Sequence, residues 1–445
     1  MSLRRNSYIF LGLLAVLCAC DTKQDFEGGF QNYFVKYYGE DGNQDAVDMV
    51  VNADGTALLL GNTQVLGRNK RMVLIKVDAR GEMLWQKRYG AMDGNDENAQ
   101  DLEPTADGNF LVLSNTLYGT DPSTNDNVYD FKVLRVRGDG SVIDSMYFGR
   151  NNGKWKTLFA YSITALSNGG FTVTGNSADE SIYLDPDSDS DLEDLFALGF
   201  NSDFTRAWTT VEDAIPPDEE GRGQSLGEHI GSGIKILEKS PAEFYWFTYS
   251  DGLWSTQGDT QYESNFNTWR LNPEGLSNAE VMFSGDPVRR EQMVAAIQVP
   301  AALGGGYYEF GTSAINNGIV VNPEAWGDLY FCRRNSTRGL IDEGVVRGLS
   351  GSFLAHAVAP AVYSNGFLLL GHEKTTLGST IRLVQVDMAS TPRWTATFGA
   401  FDKNSRGAAV AELPDGRILL LGTIELETQR KIALFKLNAQ GELLD

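Results

Sequence analysis

The feature that most constrains the fold of this chain is a ten-residue phrase that recurs along it. Each copy carries a turn, usually ending in glycine, followed by apolar residues and a final glycine or serine. Short apolar runs around such a turn predict a β-hairpin, because glycine tolerates the positive φ of a tight turn. Repetition on this scale predicts a repeat architecture. The copies are NADGTALLLG (52–61), TADGNFLVLS (105–114), LSNGGFTVTG (166–175), ALGGGYYEFG (302–311), VYSNGFLLLG (362–371) and LPDGRILLLG (413–422).

A second phrase alternates with the first and predicts another hairpin. Its clearest form is IKVDARGEMLWQKRYG (75–90), and seven versions occur at intervals of about fifty to seventy residues, a period typical of propeller blades. Two hairpins in each unit give four strands. The sequence therefore predicts an all-β fold, a seven-bladed β-propeller with four-stranded blades around a channel. The fourth unit, IGSGIKILEKSPAEFYWF (230–247), lacks the turn glycine and is the least regular.

The two ends of the chain are predicted to meet. The seventh unit stops at Asp445 before its fourth strand, whereas FQNYFVKYYG (30–39) ends like the fourth strands of other units. We therefore expect this N-terminal segment to be the outer strand of the last blade, which closes the ring without a free terminal blade. The alternative architecture, a parallel β-helix, needs neither four-stranded units nor a borrowed strand.

A small residue lies nine positions before the turn glycine in several units. Because inner strands converge on the axis of a propeller, we expect these residues to face the axis, where larger side chains would clash. They are Ala46, Ala99, Ala160, Ala296 and Gly407.

The first twenty residues have the pattern of a secretion signal. Two arginines precede an apolar run, Tyr8 to Leu17, that is too short to span a bilayer. The run ends in LCAC (17–20), which resembles the bacterial lipobox and so implies cleavage before Cys20 and lipidation of its thiol. An ordinary signal peptide beside a chance cysteine is the alternative. The chain is then divided into a signal peptide (1–19), an acidic tether (20–29) and a single propeller domain (30–445).

The repeat also resembles that of secreted bacterial propeller proteins, whose second hairpin follows K-x-D-x-x-G-x-x-x-W-x-x-x-[YF]-G. With the lipobox, the chain is similar to propeller lipoproteins of Bacteroidota. The resemblance implies a lipid-anchored protein of the outer membrane, exposed at the cell surface. It carries over no catalytic residue, because that group shares only a scaffold. The matching residues here are Lys76, Asp78, Gly81, Trp85, Tyr89 and Gly90.

Charge and catalytic motifs limit the possible functions. With 59 acidic and 37 basic side chains the net charge is −22, which disfavours nucleic acid and attraction to an anionic membrane surface. The histidines His229, His356 and His372 form no metal-binding motif, and the last two are expected to be structural. The sequence has no nucleophile elbow and no phosphate-binding loop. We therefore predict that the protein is not an enzyme and has no cofactor.

Strand direction separates the connections into two faces. The turns between first and second strands and between third and fourth strands share one face, the short-turn face. The other connections share the long-loop face, where insertions are predicted at 115–130, 176–194, 250–266 and 312–327. Insertions on one side of a repeat array commonly form its binding side. The aromatic residues predicted to bind there, with packing against their own loops as the alternative, are Tyr118, Tyr129, Trp155, Tyr183, Trp254, Tyr262 and Trp326.

An acidic run in one of these insertions is a weak candidate for a calcium site. Alternating aspartates supply the oxygen ligands that Ca²⁺ prefers. Ser190 and Phe196 stand where an EF-hand needs glycine and glutamate, so that motif fails. A solvated insertion is the alternative, because like charges repel without a cation. The four residues are Asp185, Asp187, Asp189 and Asp191.

Two functions are consistent with this sequence. The one it favours is a non-enzymatic interaction scaffold, or a subunit of an outer-membrane complex, that binds a membrane protein partner through the long-loop face. The alternative is a glycan-binding accessory protein or a glycan-active propeller enzyme, which the loop aromatics favour.

Overall fold

Regular structure in this protein consists almost entirely of β-strands. The computed structural model describes residues 33–90, 94–120, 127–149, 157–178, 194–213, 224–225, 230–256, 259–276, 282–284, 289–315, 326–349 and 351–444. In these segments the one helical element is a 3₁₀ turn, Ala301–Leu303. No helix in them is long and apolar enough to cross a bilayer.

Three four-stranded antiparallel sheets form in chain order after an N-terminal strand, β1 (Phe34–Tyr38). Blade one contains β2 (Asn43–Val51), β3 (Ala57–Gln64), β4 (Arg71–Val77) and β5 (Met83–Tyr89). Blade two contains β6 (Glu97–Pro104), β7 (Phe110–Thr120), β8 (Asn127–Val136) and β9 (Val142–Phe148). Blade three contains β10 (Thr157–Ala165), β11 (Phe171–Ala178), β12 (Asp194–Phe200) and β13 (Arg206–Asp213).

Four more sheets complete the chain. Blade four contains β14 (Gln224–Ser225), β15 (Ile230–Ser240), β16 (Glu243–Thr256), β17 (Asp259–Leu271) and β18 (Met282–Ser284). Blade five contains β19 (Arg289–Gln298), β20 (Tyr307–Ile315), β21 (Asp328–Arg334) and β22 (Leu340–Val345). Blade six contains β23 (Phe353–Ala361), β24 (Gly366–Lys374), β25 (Ser379–Asp387) and β26 (Pro392–Phe398). Blade seven contains β27 (Arg406–Glu412), β28 (Ile418–Leu426) and β29 (Gln429–Leu437).

These seven sheets form a seven-bladed β-propeller, as predicted. The first long strand of each blade lies innermost, because these strands contact one another in sequence from β2 to β27, and β27 contacts β2 again. Blade four departs from the four-stranded pattern, since the short β14 pairs with the far end of β16 beside β15.

The ring closes through the N-terminal strand, which confirms the predicted joining of the two ends. β1 pairs antiparallel with β29, from Phe34↔Lys436 to Tyr38↔Ile432. The Tyr38 hydroxyl donates a hydrogen bond of 2.7 Å to the carbonyl oxygen of Gly81, in the outer hairpin of blade one. A parallel β-helix is excluded, because the sheets are antiparallel and follow a closed circuit.

Every innermost strand contains a bulge at the same place in the repeat, immediately after a residue that is small in most blades. The register shifts at Ala46/Asp48 in blade one and at Gly407/Ala409 in blade seven. A Cβ on Gly407 would lie 2.6 Å from Leu370 of the preceding blade. Close packing against the neighbouring blade therefore limits the size of the residue at Gly407, whereas the prediction placed the crowding at the axis. In blade five the equivalent residue is Met293, so the prediction of Ala296 is also wrong.

Hydrogen bonds join neighbouring blades at the residue that follows the ten-residue phrase, which we call the bridging position. Asn62 accepts a hydrogen bond of 2.9 Å from the N–H of Ala99 in the next blade. The same contact recurs around the ring, and its other described donor and acceptor pairs are Ala160 with Asn115 (3.0 Å), Ala355 with Thr312 (2.8 Å) and Ala46 with Thr423 (2.8 Å). A polar residue here thus fixes one blade against the next.

Two of the predicted long loops are extended strands instead. β7 continues to Thr120 and β8 begins at Asn127, which covers most of the predicted insertion 115–130. The predicted insertion 250–266 lies within β16 and β17, which pair from Phe244↔Leu271 to Thr256↔Asp259. Backbone pairing continues through these polar segments because ladder hydrogen bonds do not require apolar side chains.

Candidate functional site

Side chains from blades five, six and seven meet on the long-loop face beside the channel. Trp326 precedes β21 by two residues, and Lys374 is the last residue of β24. Arg406 is the first residue of β27. His356 lies near the start of β23, and His372 lies near the end of β24. We call these five residues the histidine cluster.

The rings of this cluster contact one another edge to face. The centroids of the His356 and His372 imidazoles are 5.9 Å apart, with an angle of 88° between the rings. The indole of Trp326 lies 5.1 Å from the His372 ring at 87°. The Lys374 ammonium nitrogen is 5.9 Å from the centre of the Trp326 ring. Trp326 of blade five and His356, His372 and Lys374 of blade six therefore form one continuous group of side chains.

His356 owes its position to the bulge in β23. The register shifts between Ala355 and Ala357, so that His356 is the extra residue without a partner in the ladder. Its side chain is solvent-exposed although its strand is the innermost of blade six. The imidazole therefore lies at the wall of the channel, where a ligand on the long-loop face can reach it.

His372 holds the bridging position of blade six. Its side chain is only 7% exposed, yet its Nδ1 has no hydrogen-bond partner among the described residues. Asn62, Asn115, Thr312 and Thr423 accept a hydrogen bond from the next blade at the same position. Buried polar atoms are usually satisfied, so an unpaired Nδ1 beside an exposed imidazole points to a role other than bridging.

Both imidazoles are neutral at pH 7. The His356 side chain is accessible from the channel but is surrounded by protein atoms, and this desolvation, with the nearby Arg406 guanidinium, lowers its pKa to about 4. Burial, His356 and Arg406 together lower the pKa of His372 to about 3. A neutral imidazole has one nitrogen that donates a hydrogen bond and one that accepts. Each imidazole can therefore accept a hydrogen bond from a bound molecule.

The two cations of the cluster have no acidic partner in the described part of the chain. Arg406 and Lys374 are both exposed, and neither forms a salt bridge there. Other arginines of this face do: Arg430 lies 2.6 Å from Asp45, and Arg382 lies 3.5 Å from Glu373. Within the described segments, the cluster thus carries positive charge without an acidic partner.

The predicted aromatic residues do not come together at one place. Trp326 belongs to the histidine cluster. Tyr129 packs edge to face on Phe159 with centroids 5.5 Å apart, which is the packing role considered as the alternative. Tyr118 is 40% exposed and lies in β7.

Two of the remaining predicted residues lie in blade four, and the others lie outside the described segments. The backbone of Trp254 and Tyr262 lies in the β16–β17 hairpin, where Trp254 pairs with Gln261 and Tyr262 with Leu253. The other predicted site residues lie outside the described segments, as does His229: Cys20, Trp155, Tyr183, Asp185, Asp187, Asp189 and Asp191. In the described segments, no group of three or more His, Cys, Asp or Glu side chains could hold a metal ion.

The sequence contained a signal for the cluster that motif searches do not use. His356 and His372 each occupy a fixed place in the repeat, the bulge and the bridging position, where the other blades carry different residue types. A histidine at a position where blades one, two, five and seven carry Asn or Thr indicates a changed role.

A second charged group lines the inner strands of blades one, two and four, but its members are satisfied. The Lys235 ammonium lies 3.2 Å from a carboxylate oxygen of Asp101 and donates to the Ile163 carbonyl at 2.8 Å. Asp101 also accepts hydrogen bonds from Ser162 and from the Ile163 N–H. Burial and the adjacent Asp101 raise the pKa of Asp48 well above its usual range. These contacts link inner strands of different blades, so we assign them a structural role.

Two grooves on the outside of the ring share no lining residue with the histidine cluster. One of about 820 Å³ lies between β1 and β5, and one of about 720 Å³ lies beside β22 and the outer turn of blade six. In the first groove the charged side chains pair with each other, which leaves little free charge for a ligand. The pairs are Lys36 with Glu82 and Arg88 with Glu40.

The substitution His372→Asn is expected to stabilise the protein, and more so in acid. Asparagine at the bridging position can accept from the Gly407 N–H, which adds about 1 kcal/mol at pH 7. The folded-state pKa of His372 is below its unfolded value, so its contribution to stability is present above pH 6.5 and is lost as pH falls towards 3. The advantage of the variant should therefore grow by roughly 2 to 3 kcal/mol at pH 4.

Urea unfolding of wild type and variant at several pH values measures this difference. Thr423→Asn is the matched control, because it exchanges one bridging side chain for another without removing a titratable group. An identical pH dependence for wild type and His372→Asn would contradict the assignment of a buried, neutral His372.

No family model and no curated protein matches this sequence. Several solved structures are similar to this chain. An ulvan lyase of polysaccharide lyase family PL25, bound to -[GlcA(1-4)Rha3S]-, has a TM-score of 0.53 at 10% identity and covers 92% of this chain and 97% of its own. A protein of unknown function from Dyadobacter fermentans has a TM-score of 0.48 at 11% identity and covers 92% and 98%. The α-L-arabinofuranosidase Arb93A from Fusarium graminearum has a TM-score of 0.45 at 11% identity and covers 76% and 93%.

The similarity to the ulvan lyase corrects the prediction that this protein is not an enzyme. That prediction relied on the absence of familiar catalytic motifs, yet a polysaccharide lyase has the same propeller fold at 10% identity. Missing motifs are therefore no ground for excluding catalysis on this scaffold. Because the identity is so low, the similarity shows the fold that the two chains share and leaves activity to the chemistry of the site.

Proposed function

We propose that this protein binds and processes a carbohydrate on its long-loop face, with the histidine cluster at the centre of the site. The observation that carries the proposal is the neutral histidine pair packed against Trp326, with His356 exposed at the channel wall. It develops the glycan alternative from the sequence and replaces the scaffold function as the favoured one.

Trp326 supplies the surface for a sugar ring in this proposal. Its indole is half-buried and packs edge to face against the His372 imidazole. This contact holds the indole in place and leaves part of its surface accessible. Aromatic side chains with a few convergent polar groups are the usual lining of small-molecule sites. A sugar that packs on the indole is brought next to the imidazoles, because the Trp326 and His372 rings are 5.1 Å apart.

His356 is the candidate general base. It is the exposed member of the pair, and its neutral imidazole can take a proton from a hydroxyl, a water molecule or a carbon acid of the substrate. His372 lies behind it and limits its rotation through the edge-to-face contact at 5.9 Å. His372 is therefore proposed as a positioning residue.

A panel of polysaccharides tests this function. Purified protein is incubated with each one, and products are followed both as new reducing ends, for hydrolysis, and as ultraviolet absorbance of unsaturated ends, for elimination. We expect turnover of one class of polysaccharide, and we expect His356→Ala to lower it by about 10² to 10⁴-fold.

Gln100→Ala is the matched control, because Gln100 is the bulged residue of blade two and should leave turnover unchanged. Unfolding curves of both variants check that they fold. Binding of a polysaccharide without turnover would remove the catalytic part of the proposal, and no binding to any polysaccharide would overturn it.

Binding of another protein is the second candidate function. Leu377 and Phe401 are 73% and 72% exposed on the long-loop face of blade six. A hydrogen bond of 2.6 Å from the Thr375 hydroxyl to the Phe401 carbonyl holds their two loops together. Exposed apolar side chains at adjacent loops favour a protein contact. Purification of the protein from its native membrane, with its stoichiometric partners identified, tests this candidate.

A further inference from the structure

We infer that the ligand of the histidine cluster carries negative charge, as a carboxylate or sulfate group, and that Arg406 and Lys374 bind that group. The inference rests on the proposed carbohydrate site and adds to it the chemical class of the substrate. It concerns the charge of the ligand and is separable by experiment from the proposal that the ligand is a carbohydrate.

The first observation is that the two cations of the cluster lack acidic partners in the described segments, although the chain is rich in acidic side chains. Acidic side chains outnumber basic ones by 59 to 37 in this chain. Nevertheless Arg406 and Lys374 have no carboxylate within salt-bridge distance in the described segments. Three other arginines of the long-loop face have acidic partners: Arg430 pairs with Asp45, Arg289 with Asp328 and Arg382 with Glu373.

The second observation is the arrangement of the two cations around the possible base. Arg406 lies close enough to lower the pKa of both histidines. Lys374 is the last residue of β24, and its ammonium nitrogen lies 5.9 Å from the centre of the Trp326 ring. A charged sugar packed on the indole would lie beside Lys374, and it would reach Arg406 next to the two imidazoles. Arginine suits this task because its planar guanidinium binds carboxylate and sulfate oxygens with two parallel hydrogen bonds.

The third observation is the Nδ1 of His372, which has no hydrogen-bond partner within the described segments. Its side chain is 7% exposed, and its ring centroid lies 5.9 Å from that of the exposed His356. Both imidazoles are held neutral in part by Arg406. An anion bound to Arg406 would offset that positive charge and raise the pKa of His356 from about 4. Because a general base works best with a pKa near the working pH, a charged substrate would make His356 a better base than it is in the empty site.

Matched pairs of neutral and charged polymers test the inference. Dextran is compared with dextran sulfate, and alginate is compared with alginate whose carboxylates are esterified. We expect isothermal titration calorimetry to give at least about tenfold tighter binding for one charged polymer than for its neutral partner. Arg406→Gln and Lys374→Gln should each remove most of that difference, and Arg406→Lys should retain part of it.

Arg430→Gln is the matched control, because Arg430 is a cation of the same face that already has a partner. Titrations near pH 6 in buffers of different ionisation enthalpy should show uptake of a proton on binding by wild type, and less uptake by Arg406→Gln. Uptake distinguishes the proposed coupling from a general attraction between charges, which salt alone would screen.

The outcomes separate the two proposals. Equal affinity for charged and neutral polymers would overturn the anionic inference and leave the carbohydrate site intact. Binding of inorganic sulfate that depends on Arg406, without binding of any polymer, would support the anionic site and overturn the carbohydrate function. Absence of binding by sulfate and by both charged polymers would overturn the inference.

Discussion

Replacing Tyr38 with alanine is expected to lower the free energy of unfolding by about 3 to 5 kcal/mol, the usual cost of truncating a large buried aromatic residue. Tyr38 is 6% exposed and donates a hydrogen bond to the Gly81 carbonyl at 2.7 Å. It packs in a core cluster that contains Val73 of blade one and Leu434 of blade seven. The substitution therefore weakens the single place where the ends of the chain close the ring.

Tyr37→Ala is the matched control for this prediction. Tyr37 neighbours Tyr38 in β1 but is 52% exposed, so its removal should change stability by less than about 0.5 kcal/mol. Urea unfolding at equilibrium measures both variants. Equal, small effects of the two substitutions would show that β1 contributes little to closure.

Ring closure was predictable from the sequence because it depends on local patterns. The repeat marks each hairpin with turn residues and apolar runs, and FQNYFVKYYG at 30–39 has the ending of a fourth strand. The irregular fourth blade was harder, since its inner hairpin turns at Pro241 and Ala242, between Ser240 and Glu243, without a glycine. The fourth unit nevertheless forms the same kind of antiparallel sheet, although its sequence lacks the turn glycine that marks the other inner hairpins.

The position of the bulge in blade five could not be found by counting residues. In blade one the small residue Ala46 pairs with Gly61, fifteen positions later in the chain. In blade five Met293 pairs with Gly311, eighteen positions later, because the turn includes the 3₁₀ segment Ala301–Leu303. Counting back from a turn glycine assumes turns of equal length, and three extra residues moved the expected position to Ala296.

The histidine cluster escaped sequence reasoning for two physical reasons. A bulge shifts the strand by one residue, so the side that His356 faces cannot be read from alternation alone. The cluster also joins residues that are distant in the chain, such as Trp326 and Arg406, through packing of three blades. By contrast Trp326 was predicted as a site residue because it lies in an insertion on the long-loop face.

Arg334→Met is expected to lower the free energy of unfolding by about 3 to 5 kcal/mol, because it leaves a buried carboxylate without its counter-charge. The Arg334 guanidinium lies 2.5 Å from a Glu309 carboxylate oxygen, and the two side chains are 1% and 0% exposed. Thr268 of blade four donates a hydrogen bond of 3.1 Å to the same carboxylate. The pair lies within blade five, and the hydrogen bond from Thr268 links it to blade four.

The double variant Arg334→Met with Glu309→Leu separates the cost of an unpaired charge from the value of the pair. Apolar residues of similar size often replace a buried ion pair without loss, so the double variant should recover most of the stability lost in the single one. Arg417→Met is the control, since the Arg417–Asp415 pair is exposed and should contribute less than about 1 kcal/mol. A double variant as unstable as Arg334→Met would mean that blades four and five require the ion pair itself, through its hydrogen bonds, and that a well-filled apolar contact cannot replace it.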